Sequence, residues 1–402
     1  MNSSRFISVQ VGARRNYVVP AILAEAGLLE AFYTDLCGSA GLGGLLQKFC
    51  PKTLRKPAIQ RLISRQVPVQ LEGKVCTFDR AALRFLARSY LARSNDFKSY
   101  QALRQFDLEF SQAMSQAGLG KATHVYSMFG EGLAFLKFAK DRGLKIISEV
   151  YIAPQTHQIV QQQREQFPDL EPMIPSEIIE RDYEWLEELC QLADRFIVPS
   201  EFVREGMMQF GVSSERCALV PYAVGDSWFT LQNQPIEKRI LFVGTADLRK
   251  GIHILGIAAQ KLRHLGYEFR VAGGVSDIVR QHPLTQHLTF LGRVPRTEIQ
   301  NEYAQADIFV LPSQAEGSAE VIYEALAARV PIITTKAAGS VVRNGIEGFI
   351  VPEQDPETLA SRIQELVEDR ELRERMAIAA RKRAYEHTWN RYSEELLKAT
   401  LN

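Results

Sequence analysis

Short apolar runs alternate with helical patterns along almost the whole chain. Residues 6–11, 124–127, 144–149 and 195–198 are runs of the length and apolar density of buried strands. Between them, apolar positions recur at helical spacing over 17–26, 131–142, 175–193 and 200–210, the last with Ser200 placed as N-cap. The pattern pauses at Val220-Pro221-Tyr222-Ala223-Val224-Gly225-Asp226 and then restarts. Strands are predicted at 239–243, 269–272, 288–291, 308–311 and 332–334, and helices at 252–265, 296–304 and 318–328. A polar helix over 356–385 and a helical tail over 388–402 close the chain. Strand–helix alternation of this kind predicts the α/β class, with parallel sheets covered by helices on both faces. The pause predicts a linker near 222–236 joining two Rossmann-like domains, 1–222 and 223–387. Open α/β sheets bind ligands at the carboxyl ends of their strands, so a cleft is expected between the two halves.

One segment departs from the average. Residues 36–71 contain no acid, while Lys48, Lys52, Arg55, Lys56, Arg61 and Arg65 are basic and alternate with Leu45, Leu46, Phe49, Leu54, Ile59, Leu62 and Ile63. Two readings fit 43–66: a partly exposed amphipathic helix, or contact with an anionic membrane surface or anionic lipid acceptor.

Composition narrows the class without naming it. At 402 residues the chain exceeds one ordinary core. A net charge of +1 and the lack of a strongly basic half argue against nucleic acid. Cys37, Cys50, Cys76, Cys190 and Cys217 are odd in number and never paired as CxxC, which predicts reduced thiols in a cytoplasmic protein. The N-terminus has no secretory core, and no apolar run reaches the ~18 residues of a membrane span.

The chemistry concentrates in strand-to-helix turns. After the 308–311 strand come Pro312-Ser313-Gln314-Ala315-Glu316-Gly317-Ser318-Ala319-Glu320, with Glu324 further on. Glu316 and Glu324 are eight positions apart, at most ~12 Å if fully helical. The N–H groups of a helix's first turn would lie between them and favour an anion. A diphosphate with a hydroxylated ring at each end has that layout. The turn after the 239–243 strand, Gly244-Thr245-Ala246-Asp247-Leu248-Arg249-Lys250-Gly251, holds two cations suited to a diphosphate. Taken alone it reads rather as a solvated basic loop, and the Glu316-to-Glu324 stretch in the same half is what favours the diphosphate reading. The first turn, Gly12-Ala13-Arg14-Arg15-Asn16-Tyr17, is not GxGxxG, but Gly12 leaves room for backbone N–H groups to approach a ligand. His124, His157 and Glu149 are placed toward the cleft, His157 and Glu149 as catalytic or sugar-contacting candidates. No DxD or HExxH motif is present, so neither a metal nor a cofactor is expected.

Together these motifs resemble the GT4 family of glycosyltransferases, which have the GT-B fold. The likeness is carried by Arg249-Lys250-Gly251, Phe290-Leu291-Gly292-Arg293-Val294, the Glu316-to-Glu324 motif and Lys336-Ala337-Ala338-Gly339-Ser340 followed by Asn344-Gly345-Ile346-Glu347-Gly348. Ala193–Val203 and Val220-Pro221-Tyr222 add to it from the first half. The resemblance implies an acceptor-side first domain, a nucleotide-sugar-binding second domain, and a helix 388–402 that packs back on the first. It implies retaining, metal-independent transfer from a UDP-, GDP- or other nucleotide-diphosphate sugar to a glycan, lipid-linked or small-molecule acceptor, as in polysaccharide biosynthesis. Glu316 would hold the transferred sugar, Glu324 the ribose, and Lys250 with Arg249 the diphosphate. Backbone at Gly292, Arg293 and Val294 would face the base, and Gly12, Gly244, Thr245, Gly317, Ser318, Ala319 and Glu320 would complete the donor site. Two positions depart from the family pattern. Thr245 stands where the family usually has arginine, and the strand ending at Glu149 lacks the family's histidine, leaving Glu149 or His157 as stand-ins. A sugar-nucleotide epimerase and a non-catalytic nucleotide-sugar-binding protein are the alternative readings.

Overall fold

Apolar residues buried on both faces mark the central strands, as parallel sheets require: β1 (Phe6–Gln10) and β11 (Ile308–Leu311) are buried throughout. The computed structural model describes residues 4–93 and 95–401, and of Lys52 the backbone alone. Positions 1–3, 94 and 402 of the expected units, and the Lys52 side chain of the basic segment, lie outside the described residues.

The first sheet contains β1, β2 (Leu29–Thr34), β3 (Val75–Thr77), β4 (His124–Met128), β5 (Lys145–Glu149), β6 (Arg195–Val198) and β7 (Cys217–Leu219), in the order β3-β2-β1-β4-β5-β6-β7. The second contains β8 (Arg239–Val243), β9 (Glu268–Ala272), β10 (Leu288–Gly292), β11, β12 (Ile332–Thr335) and β13 (Gly348–Val351), in the order β10-β9-β8-β11-β12-β13. All pairings are parallel. This is the expected α/β architecture of two doubly wound halves. In each sheet the order runs outward from one central pair, β1/β4 and β8/β11, the switch point at which such sheets take ligands.

The last helix, Trp389–Leu401, returns to the first sheet's side: Arg195 Nη1 donates to Ala399 O at 2.8 Å, and Arg15 Nη1 donates to the Tyr392 hydroxyl at 2.7 Å.

Four differences from the sequence reading have local causes. The single helix expected over 356–385 is two, Pro356–Glu368 and Arg370–Ala384. Asp369, at φ −91° and ψ 93°, ends the first and caps the second by accepting from Leu372 N at 2.9 Å. The helix expected from 318 starts only at Glu320, so Glu316 to Ala319 form the turn itself. The basic segment folds as two short helices, Gly41–Phe49 and Pro57–Ile63, with Pro57 opening the second. Two further helices, Asp79–Ala92 and Asp96–Ala117, had no counterpart in the apolar pattern, because their outer faces carry leucines among arginines.

Candidate functional site

The carboxyl ends of β8 and β11 bring the phosphate-type loop and the Glu316 turn side by side. Gln314 N donates to Arg249 O at 2.7 Å, and Lys250 N donates to Asp247 Oδ1 at 2.8 Å. Gly251 caps the Ile252–Lys261 helix at φ 76°, where a Cβ would lie 2.0 Å from Pro312 O. Only glycine fits there, and its presence lets the loop pack flush against β11's end. The result is a compact charge cluster. Arg249 Nη1 lies 2.6 Å and Lys250 Nζ 2.5 Å from the same oxygen, Oε1 of Glu316. All three side chains are largely buried yet keep some solvent access. Just beyond, Ser318 shares a 3.0 Å hydrogen bond with the Tyr323 hydroxyl and Ala319 leads into the helix Glu320–Ala327. Two cations and a helix start form a ready receptor for an anion.

The first domain closes over this turn. A Cβ on Gly317 would lie 1.9 Å from Tyr151 O, so the chain after β5 runs directly against it. Ser200 Oγ donates to Gly317 O at 2.5 Å. The segment around the helix Thr156–Gln166 grips the loop from the other side: Leu248 N donates to Glu171 Oε1 at 2.7 Å, and His253 Nε2 lies 3.0 Å from Gln163 Oε1.

The remaining expected residues divide among three cavities. Thr245, Gly292 and Arg293 line one of about 390 Å³ beside Arg280, with Gly244 and Val294 next to these residues in the chain. Glu320 and Glu324 line a second, of about 380 Å³, together with Asn16, Arg296 and Trp389. Glu324 accepts from the Tyr303 hydroxyl at 2.9 Å. Burial pushes its carboxyl up to about 7, against the pull of Tyr303. His157 and Arg249 meet in a third cavity, also about 380 Å³, that spans the two domains. There His157 Nε2 sits 3.4 Å from Asp182 Oδ2, and burial holds the imidazole below its usual range although Asp182 opposes this.

Two expected placements fail for reasons visible in the packing. Glu149 is 1% exposed and both oxygens are engaged, one by Arg15 and one by the Tyr126 hydroxyl at 2.7 Å. Its burial, with a protein partner on each oxygen, closes it to a substrate. His124 starts β4, at the end of the strand away from the cleft, where it stacks on Phe6 at 4.8 Å. Gly12 does lie at a switch point, but its N–H is taken by Asp35 Oδ1 at 2.8 Å.

The reading of the sequence missed a group at the carboxyl end of β4. Glu131 accepts from Val11 N at 2.8 Å and lies 3.9 Å from Arg14, whose guanidinium covers the Tyr151 ring at 3.7 Å. Burial raises the Glu131 carboxyl to about 8, with Arg14 pulling it back. The signal was available: Gly130-Glu131-Gly132 follows a recognised strand at the centre of the sheet.

Two parallel-sheet domains with this strand order and a cleft at their switch points define a GT-B fold. Solved structures agree over nearly the whole chain. Anabaena Alr3699/HepE in complex with UDP and glucose aligns with a TM-score of 0.64 at 14% identity, covering 99% of both chains. Sucrose-phosphate synthase (tll1590) of Thermosynechococcus elongatus aligns at 0.68 with 17% identity, covering 99% of this chain and 98% of that one. In sequence, residues 229–383 match the family described as Glycosyl transferases group 1. Spore coat protein SA of Bacillus subtilis (strain 168) is 33% identical over 180 residues, which is 40% of this chain and 48% of that protein. The chain thus spans about half or less of the length of the first curated relatives it matches. The family match falls on the domain that holds Lys250, Glu316 and Glu324.

Proposed function

We propose that the protein is a retaining, metal-independent glycosyltransferase that moves a sugar from a nucleotide-diphosphate sugar to an acceptor hydroxyl. The observation that carries this reading is the Arg249–Lys250–Glu316 cluster, in the turn that leads into the Glu320–Ala327 helix. In the donor complex the diphosphate takes up the two cations, and Glu316 is released to accept hydrogen bonds from hydroxyls of the transferred sugar. Glu324 receives the ribose, and the cavity at Thr245, Gly292 and Arg293 receives the base. As the sugar's anomeric C–O bond breaks, charge builds on the departing phosphate. Lys250, Arg249 and the helix N–H groups lie where that charge appears, which is electrostatic catalysis. The acceptor oxygen bonds to the same face of the anomeric carbon, and its proton passes to the departing phosphate oxygen. The bound UDP of HepE and the family match over 229–383 support a nucleotide-sugar donor.

The acceptor is met in the cytoplasm at an anionic membrane surface. The acid-free segment supports this, because Leu45, Phe49 and Leu54 are between 58% and 68% exposed among its basic residues.

A thermal-shift screen of UDP, GDP and ADP and their hexose conjugates tests the donor, since a ligand of the native state raises its melting temperature. Replacing Glu316 or Lys250 by Ala should lower transfer by about 10²–10³-fold or more with the fold intact. Full turnover in both variants would sink the assignment. Conversion of the donor without any acceptor would identify an epimerase instead.

A further inference from the structure

The loop that carries Arg249 and Lys250 is held in part from the opposite domain. Residues 163–171, the last turn of the Thr156–Gln166 helix and the stretch after it, meet the second domain at three points. Gln163 Oε1 lies 3.0 Å from His253 Nε2, with both residues fully buried, and the Phe167 ring sits 4.6 Å from the His253 ring. Asp169 Oδ2 lies 2.8 Å from His282 Nε2. Glu171 Oε1 accepts from Leu248 N at 2.7 Å.

The first two contacts reach residues outside the loop. The third reaches the residue directly before Arg249. Leu248 is fully buried. Its neighbours are tied within the second domain: Lys250 N donates to Asp247 Oδ1 at 2.8 Å, Gly251 N to Leu248 O at 3.0 Å, and Gln314 N to Arg249 O at 2.7 Å. The Leu248 N–H takes its acceptor from the first domain instead. A buried N–H deprived of its acceptor is costly. Without Glu171 the backbone at 248 gains by turning that group elsewhere, and the two cations that follow turn with it. Glu171 is itself fixed, because its second oxygen lies 3.3 Å from Arg164 Nη2 and both side chains are largely buried. Glu171, Asp247 and Arg249 line the interdomain cavity together.

We infer that Glu171 is a positioning residue for the donor's diphosphate: through Leu248 it sets the loop that aims Arg249 and Lys250, so the first domain completes the diphosphate site of the second. Glu171 touches neither donor nor acceptor in this role and acts through the two cations. The assignment rests on the transferase reading and adds to its donor site a member from the other domain.

UDP, GDP and ADP are titrated calorimetrically into the full chain, and the tightest of the three is carried through the variants. Glu171→Ala should weaken it about five- to tenfold, with the melting temperature within a few degrees of wild type. Glu171→Gln keeps an oxygen for the Leu248 N–H and should stay within about threefold of wild type. In a Lys250→Ala background the Glu171→Ala step should shrink to about twofold or less, since residues that act through one another are not additive. A residue that only supported the fold would cost the same factor in both backgrounds. Wild-type affinity in Glu171→Ala overturns the inference. So does an equal loss in both backgrounds, or a Gln variant that binds no better than the Ala variant. Each of those results leaves the donor reading standing. Failure of the wild-type chain to bind any of the three nucleotides defeats the donor reading itself, and this assignment with it.

Discussion

The two domains place similar charges at equivalent points of one topology and obtain opposite behaviour. At the first switch point, Arg14 and Arg15 follow β1 and meet Glu131 and Glu149. At the second, Arg249 and Lys250 follow β8 and meet Glu316. The Arg15–Glu149 pair is sealed, with side chains 7% and 1% exposed, and Tyr126, Tyr222 and Tyr392 surround it. Arg249 in the other cluster remains 27% exposed. The lesson concerns exchange. A buried pair tied to its surroundings through both ends of the guanidinium and both carboxylate oxygens acts as a joint, here between β5, the first turn and the final helix. A pair that shares one carboxylate oxygen between two cations at a cleft can trade that oxygen for a ligand's. Backbone conformation follows the same division: Arg15, Asn16 and Tyr17 are held at φ 43°, 51° and 61°, which a well-packed joint can sustain.

The sharpest way to break this contrast is to remove one member of each cluster. Arg15→Met leaves Glu149 buried without its cation. It should cost about 3–5 kcal/mol of stability by urea unfolding. The double variant Arg15→Met/Glu149→Gln should recover most of that loss. If Arg15→Met unfolds at the wild-type midpoint, the pair is not a joint. Lys250→Ala should do the reverse. It should lower turnover by about 10²–10³-fold, with the melting temperature little changed. A large drop in melting temperature with normal turnover would invert the comparison.

A third measurement uses pH. The Glu324 carboxyl is raised by burial to about 7, above the ordinary carboxylate value. The native state then binds a proton that the unfolded chain releases near 4.5, so stability falls as pH rises from there to about 7 and levels off above it. The contribution is on the order of 3 kcal/mol or less. Glu324→Gln should flatten the wild-type dependence of unfolding over that window. The same variant should remove any rise in UDP affinity through pH 7, because only the ionised carboxylate accepts from both ribose hydroxyls. An unchanged pH profile would mean that Glu324 does not titrate there.

How much of this could be read in advance differs between the domains for the same physical reason. The second domain announces itself because its site is local in sequence. Arg249 and Lys250 are neighbours, Glu316 and Glu324 share one turn and helix, and both stretches follow strands of unbroken apolar residues. The first domain's cleft is assembled from distant pieces: Arg14, Glu131, Tyr151 and Asp182 converge only when the strand order is known. Glu149 stood at a strand end as expected, but no periodicity reveals that Arg15 and Tyr126 would occupy both its oxygens. The helices Asp79–Ala92 and Asp96–Ala117 escaped notice because apolar residues such as Leu83, Leu86, Leu91, Leu103 and Leu108 face outward on them.

The smallest effect tests whether the second cluster is already complete. Thr245 stands where the resembled family usually has arginine, so Thr245→Arg would add a guanidinium at an exposed position of the base-side cavity. That cavity already holds Arg280 and Arg293, and Arg249 already lies against Glu316. A further exposed charge near ligand phosphate is worth about 0–1 kcal/mol after solvent screening. Thr245→Arg should therefore tighten UDP binding by less than about fivefold, with most of the gain lost in high salt. A hundredfold gain would show that the existing cations leave the diphosphate under-neutralised. Arg249 would then act as a partner for Glu316 alone, and the exchange of carboxylate for phosphate would fall to Lys250.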